Sequence, residues 1–439
     1  MLEGDLKRPF GFVGRSKELT RLKQEWLPRG KSPVALIQGL AGMGKTMLAA
    51  EVIHLWHDRF DYVFAFQSRP YQISAEEFSA EKFSAEEFYR DLDLRLSMAS
   101  KLYREKCRDD EYRKICLPTE EITGEQRYET MRNNLADALH SERILLVADN
   151  FETHLLGDGA CKDLEWKNLL DVFCNRLGNS GSCVLITSRH VPADLKDQGV
   201  WIPMGPLPLN QARLLIQNHD GLRGLWHNKD TRSVALRVLE ISRGHPLILQ
   251  RLGILAGDAG NLVQILDRLE KKGLKELPDL PDMVLGAKTD KERETEREYL
   301  EDVAVGAVDV LLERIGSDAR LMLWVTTLAF EPVQAGLLVD IWENLVNESP
   351  ASGPLLNELV ESGLLQKQGQ GKDAVYSFHE LVRERMAEWM ENHPQEQAGQ
   401  DAKQVWLAYG QRYEAIFWAL QQSGESGSRE AATEMGRRA

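Results

Sequence analysis

Apolar residues in the first two hundred positions form short, nearly continuous runs, which alternate with stretches of helical periodicity. The runs lie near residues 34–38, 61–67, 143–149, 182–187 and 200–203. Short unbroken apolar runs are typical of strands buried on both faces, and strands that alternate with helices favour a parallel sheet. The pattern predicts an α/β domain whose parallel sheet is covered by helices on both faces.

Helical patterns then continue to about Gly273, followed by the proline-punctuated and charge-dense segment "LPDLPDMVLGAKTDKERETEREYLED". From Val303 the pattern gives helices, then "GLLQKQ", a "GQGKD" turn, "AVYSFH" and another helix. Helices followed by a two-stranded wing indicate a winged-helix domain. The predicted order is a sheet domain (1–205), a helical domain (206–280), a charged linker (281–302), a winged-helix domain (303–393) and a C-terminal helix with a flexible tail (394–439).

The segment between the second and third predicted strands contains "SAEEFSAEKFSAEEF", Ser74 to Phe88, a pentapeptide written nearly three times. Five residues advance a helix by about 140°, so the phenylalanines cannot share one face. We interpret the repeat as an expansion on a solvated helix or loop, not as a site.

The sequence "VALIQGLAGMGKTMLAA" carries the most specific chemical signal. It places GxxxxGK[ST], Gly39 to Thr46, between a strand and a helix. The glycines let backbone N–H groups point at phosphate oxygens, and the helix N-terminus adds its positive dipole end. Lys45 is expected to reach the β- and γ-phosphates, and the Thr46 hydroxyl to ligate Mg²⁺. The motif predicts a nucleotide site, and this P-loop NTPase sheet is the fold class that we expect.

Two further strand ends carry candidate phosphate or metal contacts. Asp149 ends the apolar strand "RILLVAD" and is the second predicted Mg²⁺ contact, through its carboxylate. Arg189 follows the strand "SCVLITSR", and its guanidinium can bind phosphate oxygens bidentately. A surface salt bridge is the alternative role for Arg189.

The residue after Asp149 is Asn150, where many nucleotide hydrolases have a second acid that activates water. Strand alternation directs Asn150 away from the side of Asp149. Glu152 is the candidate base, with Asp149 as its catalytic partner, and the alternative for Glu152 is a solvated acid at a helix start. The expected result is slow nucleotide hydrolysis and long-lived nucleotide occupancy.

Net charge and cysteine content bear on the kinds of binding partner and on the cellular compartment that the protein can have. The net charge of −14 argues against a general nucleic-acid or membrane-surface binder. The five cysteines show neither CxxC pairs nor zinc spacing, which indicates reduced thiols and, with the absence of a signal peptide or membrane-length apolar run, a cytoplasmic protein.

The flanking motifs resemble the STAND class of P-loop NTPases, which includes the NB-ARC and NACHT relatives. "FGFVGRSKELTRL" resembles the family's FVGR motif, "SRGHPLILQRLG" its GxP motif with Gly244, His245 and Pro246, and "YSFHELVRERMAEW" its MHD motif with His379 in the histidine place. In the family the first motif lies along adenine, the proline packs near adenine and ribose, and the histidine contacts the β-phosphate of ADP. The bacterial branch often has "DN.E" after the strand, as here.

The residues expected to contact the adenine nucleotide are Phe12, Val13, Gly14, Arg15, Gly39, Leu40, Ala41, Gly42, Met43, Gly44, Lys45, Thr46, Met47, Arg189, Pro246 and His379.

The resemblance implies an ATP- and ADP-dependent signalling switch, plausible in bacterial defence, that is closed with ADP and oligomerises with ATP. Effector and sensor parts are not visible in this chain. A transcription regulator that binds DNA through the winged helix is one alternative, although the helix "GPLLNELVESG" has two glutamates and no Lys or Arg. An ordinary ATPase that acts by turnover is the other.

Overall fold

A computed structural model describes part of the chain, and the structural statements below concern these residues: 12–28, 32–67, 84–108, 114–116, 124–195, 198–256, 262–267, 269, 290–329, 333–345, 351–371, 374–397 and 402–425. The first two copies of the pentapeptide and the proline-rich part of the predicted linker lie outside them. The chain divides into two compact units. Unit 1 comprises Met1–His219, Ser242–Leu249 and Leu280–Glu301, and unit 2 comprises Asp220–Ile241, Gln250–Asp279 and Asp302–Ala439.

Unit 1 is built on a five-stranded parallel sheet in the order β2-β3-β4-β1-β5. The strands are β1 (Val34–Gly39), β2 (Tyr62–Gln67), β3 (Ile144–Asp149), β4 (Cys183–Ser188) and β5 (Val200–Met204). The five strands predicted from apolar runs are confirmed to within two residues. The predicted parallel P-loop sheet is confirmed with them.

Helices connect these strands within unit 1. They are α1 (Ser16–Arg21), which continues into a π-helical turn (Leu22–Trp26), then α2 (Lys45–Trp56), α3 (Ala85–Ala99), α4 (Lys101–Arg108), α5 (Glu125–Ser141), α6 (Leu164–Arg176) and α7 (Leu209–Asn218). Short 3₁₀ turns follow α2 (His57–Arg59) and β3 (Phe151–His154) and precede β5 (Ala193–Leu195).

Alternate residues of β1 are buried on opposite faces of the sheet. Val34 and Leu36 belong to the apolar cluster formed with α3, α5 and α6. Ala35 and Ile37 are also fully buried, on the other face, and α2 packs on β1 and β4. Burial on both faces explains the continuous apolar run in the sequence.

Phe88, the last phenylalanine of the pentapeptide repeat, is only 3% exposed and packs against Phe66, Trp166 and Phe173. Ser84 caps α3 in a reciprocal arrangement with Glu87, so the helix begins inside the third copy. The expectation of a solvated repeat is therefore wrong for this copy, because the start of α3 directs its phenylalanine into the core.

The rest of the chain is largely helical. The helices are α8 (Asp220–His227), α9 (Arg232–Ser242), α10 (Pro246–Leu255), α11 (Asp290–Arg314), α12 (Ser317–Thr327), α13 (Ala335–Leu345), α14 (Ser352–Glu361), α15 (Glu380–Asn392) and α16 (Ala402–Glu425), with a 3₁₀ turn at Pro394–Gln397. Residues 262–267 are also helical. None of the helices in the described parts of the chain is long and apolar enough to span a bilayer.

A small antiparallel sheet lies among the C-terminal helices of unit 2. Its strands are β6 (Val333–Gln334), β7 (Gln366–Gln368) and β8 (Val375–Ser377), in the order β6-β8-β7. The β7–β8 pair falls where the sequence predicts two wing strands around a turn. The winged-helix assignment and the five-part domain division remain predictions.

Candidate nucleotide site

The loop between β1 and α2 has the backbone of a phosphate cradle. Gly42 and Gly44 adopt φ values of 73° and 85°, in the left-handed region that favours glycine. Lys45 begins α2 and is 6% exposed. Its Nζ donates hydrogen bonds to the carbonyls of Gly39 at 2.9 Å and Leu40 at 3.0 Å. The loop therefore closes on the lysine, and its ammonium group is held next to the backbone that would face a phosphate.

The carboxylate of Asp149 lies at the C-terminal ends of the neighbouring strands. It accepts hydrogen bonds from the Thr46 hydroxyl, at 3.0 and 3.1 Å to its two oxygens, and from the Thr187 hydroxyl at 2.5 Å. The side chain is completely buried. Burial raises the pKa of Asp149 from 3.8 to about 6, and the Thr187 and Thr46 hydrogen bonds offset part of that rise.

This donor set fits a magnesium ion. The hydroxyl of Thr46 and the carboxylate of Asp149 are hard oxygen ligands, the type that Mg²⁺ prefers. A buried carboxylate with a raised pKa lacks a full counter-charge, which a divalent cation would supply. Thr46 and Asp149 are thus the residues that would hold the metal.

Glu152 and Arg189 meet as an ion pair. Arg189 Nε lies 3.1 Å from Glu152 Oε1, and the Arg189 backbone N–H donates to Oε2 at 3.2 Å. Glu152 stands in the first turn of the 3₁₀ helix after β3, as the helix-start alternative expects, but its side chain is only 14% exposed. Both residues were predicted as site residues, and the structure brings them together.

Asn150 does not extend the strand. Its φ of 59° is left-handed, and its backbone N–H donates to the Thr187 hydroxyl at 3.0 Å. β3 ends at Asp149, so the period-2 argument for the direction of Asn150 does not apply, since the chain turns at this residue.

The segment before α1 contacts the phosphate loop through Arg15. This residue is 4% exposed, and its Nη2 donates to the carbonyl of Met43 at 3.0 Å. Burial lowers the pKa of the Arg15 guanidinium, and the neighbouring Glu18 offsets part of the effect. Gly14 has φ of 80°, and a Cβ there would lie 2.3 Å from the Gln211 side-chain oxygen. Phe12 and Val13, just before it, are half-buried.

The GxP segment also contacts the loop. His245 is 1% exposed, and its Nε2 lies 3.0 Å from the carbonyl oxygen of Ala41. A Cβ on Gly42 would lie 2.6 Å from Leu247 and 2.7 Å from the His245 ring. Pro246, the predicted nucleotide contact, is half-buried at the first position of α10. The beginning of α10 is therefore packed directly on the loop.

His379 lies in unit 2, where it caps α15. Its Nδ1 accepts a hydrogen bond from the backbone N–H of Leu381 at 3.1 Å. Within its own unit this ring therefore serves as a helix cap, and the phosphate contact that the family resemblance implies stays a prediction.

The remaining predicted residues belong to the loop itself. Met43 is buried, Leu40 and Ala41 are half-buried, and Met47 is 37% exposed on the first turn of α2. The sequence reasoning missed Thr187 and assigned no contact to His245. Thr187 could have been found, since it lies near the C-terminal end of β4, which pairs in parallel with the strand that ends at Asp149. The His245 contact leaves no signal in local sequence, because it joins residues 204 positions apart.

Comparison with known proteins agrees with this geometry. Residues 11–186 match the AAA ATPase domain family. A signal transduction ATPase with numerous domains (STAND) protein with a tetratricopeptide repeat sensor, from Pyrococcus horikoshii, is 17% identical with a TM-score of 0.54. The match covers 99% of this chain and 51% of that one, so the chain spans about half the length of that protein. No curated protein matches the sequence.

Two further solved structures have lower scores. The Walker-type ATPase of Pyrococcus abyssi is 15% identical, with 88% of this chain and 99% of that chain covered and a TM-score of 0.37. Cdc6p of Pyrobaculum aerophilum is 13% identical, with 89% and 99% covered and a TM-score of 0.35.

The fold and the phosphate loop define a nucleotide-binding P-loop NTPase. More narrowly, residues 11–186 match the AAA ATPase domain, and the fold of the chain is similar to that of a STAND protein, the class that the sequence motifs resemble.

Proposed function

We propose that this protein is an adenine-nucleotide-dependent signalling switch that hydrolyses ATP slowly. The observation that carries the proposal is the buried Asp149 carboxylate, hydrogen-bonded to Thr46 beside a closed phosphate loop. Thr46 and Asp149 would hold Mg²⁺, which would neutralise phosphate charge when bound. Lys45 and the loop N–H groups would hold the phosphates.

Slow turnover is supported by the residues that follow β3. Asn150 has no carboxylate, and its side chain cannot accept a proton from water. Glu152 is the remaining candidate base, but its carboxylate is already held by Arg189, whose Nε lies 3.1 Å from Oε1 and whose backbone N–H donates to Oε2 at 3.2 Å. A site that binds nucleotide tightly and hydrolyses it slowly suits a switch better than an enzyme that acts by turnover.

The switch itself is proposed from the STAND-type fold. We propose an ADP-bound closed state and an ATP-bound state that oligomerises, with His379 as a contact for the β-phosphate of ADP. Because the Nδ1 of His379 accepts from Leu381 N, the neutral ring carries its proton on Nε2, which suits a phosphate oxygen. Effector and sensor functions would come from other domains or proteins, and a role in defence is one setting.

The nucleotide retained by the purified protein tests this proposal. Denaturing the protein and separating the released nucleotide by chromatography should give near-stoichiometric ADP. Exchange of ADP for a non-hydrolysable ATP analogue should then raise the mass measured by light scattering. Protein that neither retains nor binds an adenine nucleotide would overturn the proposal, and brisk steady-state hydrolysis without a change in mass would favour an ordinary ATPase.

A further inference from the structure

Two side chains from outside the phosphate loop hold its backbone carbonyls. Arg15 donates to Met43 O at 3.0 Å, and His245 Nε2 lies 3.0 Å from Ala41 O. The carbonyls of Gly39 and Leu40 are held by Lys45 from inside the loop. Of these contacts, the one from His245 has no role in the function proposed above.

The imidazole is neutral and has a defined tautomer. Burial, together with the charges of Arg15 and Lys45, lowers the pKa of His245 to about 4. Nδ1 faces the backbone N–H of Ile248 at 3.5 Å, so this nitrogen is the acceptor and Nε2 carries the proton. The contact to Ala41 is therefore a hydrogen bond donated by Nε2–H.

The hydrogen bond to the Ala41 carbonyl also fixes the direction of the next backbone N–H, because the peptide group is planar. No cis peptide occurs among the described residues, so the N–H of Gly42 points opposite to the carbonyl of Ala41. Because the His245 ring holds the Ala41 carbonyl, the N–H of Gly42 is directed away from that ring. Gly42 packs closely against this segment, since a Cβ at this position would lie 2.6 Å from Leu247 and 2.7 Å from the His245 ring, so only glycine fits there. The orientation of one cradle donor thus depends on His245.

We propose that His245 is a positioning residue of the nucleotide site, whose Nε2–H fixes the Ala41–Gly42 peptide so that the Gly42 N–H is presented to a phosphate of the bound nucleotide. The inference rests on the proposed function, since it names the residue that sets the shape of the same cradle. Without this bond the peptide must be oriented by the ligand, and affinity falls because the ordering cost is paid on binding.

Three variants of the full chain test the inference, with fluorescently labelled ADP and Mg²⁺ as the probe. His245→Leu keeps a side chain of similar size but removes the Nε2–H donor. His245→Gln instead places an amide N–H near the position of Nε2. His154→Leu is the control, because His154 is a second buried neutral histidine of unit 1, 5% exposed and packed on Trp166. The midpoint of thermal unfolding is recorded for each variant.

His245→Leu should weaken ADP binding about tenfold, the range expected for one lost intramolecular hydrogen bond. His245→Gln should bind within about threefold of the wild type, and His154→Leu should lose thermal stability but retain ADP affinity. If His245 served only to stabilise the fold, the ADP affinity of every variant would fall in proportion to its loss of thermal stability. Unchanged ADP affinity in His245→Leu, or a loss in His245→Gln as large as that in His245→Leu, overturns the inference.

If His245→Leu does not fold, His245→Asn replaces it, because its shorter amide cannot reach the Nε2 position; wild-type affinity in that variant overturns the inference equally. Failure of the wild type to bind ADP would remove the proposed function, and this inference with it. Normal ADP binding by the wild type and by His245→Leu would remove only the role of His245.

Discussion

Asp149→Asn should make the nucleotide-free protein relatively more stable than the wild type as the pH rises, although it removes a proposed Mg²⁺ ligand. Asp149 is completely buried, and its pKa is raised from 3.8 to about 6. The folded chain therefore holds this proton more tightly than the unfolded chain. Stability contributed by the protonated carboxyl is fully present below pH about 4 and is lost as pH rises through about 6.

The size of the effect follows from the shift. One pKa unit corresponds to about 1.4 kcal/mol, so a rise from 3.8 to about 6 makes the charged carboxylate cost on the order of 3 kcal/mol above pH 7. Asparagine never ionises and avoids this cost. Its amide NH₂ replaces one of the two carboxylate oxygens near Thr46 and Thr187, which shifts the stability of the variant by an amount that does not depend on pH.

Thermal unfolding between pH 4 and pH 7.5, without nucleotide or metal, measures the difference between variant and wild type. In a unit of this size 1 kcal/mol corresponds to about 2–4 °C, so the difference should move in favour of Asp149→Asn by about 6–12 °C across this range. With Mg²⁺ and ADP the wild type should gain stability and the variant should not. Asp137→Asn, an exposed carboxylate on α5, is the control. A difference between Asp149→Asn and wild type that is the same at all pH values would refute the reasoning.

Four other outcomes are expected. Lys45→Ala should weaken ADP and ATP binding at least about tenfold, since a charge-assisted contact contributes about 1.5–3 kcal/mol; a titration with labelled nucleotide showing normal affinity would contradict this. Wild-type ATP turnover should fall well below about 10 per second and slow further in Glu152→Gln, and a steady-state assay with fast turnover that ignores the substitution would count against Glu152 as the base. His379→Ala should speed ADP release and raise the oligomeric fraction in light scattering; unchanged release would remove the proposed phosphate contact. Duplex DNA should not bind specifically, and tight binding in a gel-shift assay with a steep salt dependence would revive the transcription-regulator alternative.

The sheet was predictable because its signal is local. Each strand is an apolar run that ends near a loop, and β1 in particular reads as a strand because both of its faces are buried. Phe88 shows where this reasoning ends. Its pentapeptide is polar and repetitive, and only the capped start of α3 and the neighbouring Trp166 explain its burial. Tertiary packing therefore buries Phe88, although the polar residues around it in the sequence predict exposure.

The residues of the candidate site likewise fall into those that local motifs predict and those that only the tertiary structure reveals. Motif spacing found Lys45, Thr46 and Asp149, because phosphate and metal chemistry restricts which residue types can stand at those positions. The pairing of Glu152 with Arg189 required the neighbouring ends of β3 and β4 in space. No local rule links His245 to Ala41, since a long-range contact to a backbone carbonyl places no demand on the sequence around either residue.

The separation of Arg15 and His245 along the chain has a consequence for synthesis on the ribosome. Arg15 is made before the phosphate loop, but β1 pairs with β4 and β5, and the His245 partner of Ala41 follows 204 residues later. Because the ribosome makes the chain from its N-terminus, the phosphate loop is synthesised before β4, β5 and His245, with which it and β1 later form contacts. A growing chain that has only reached β5 can complete the sheet, yet the Ala41 carbonyl still lacks its donor. On the role proposed for His245, a nascent chain that ends before this residue should bind ADP about tenfold more weakly than the complete protein, so ADP should stabilise the finished chain more than the growing one.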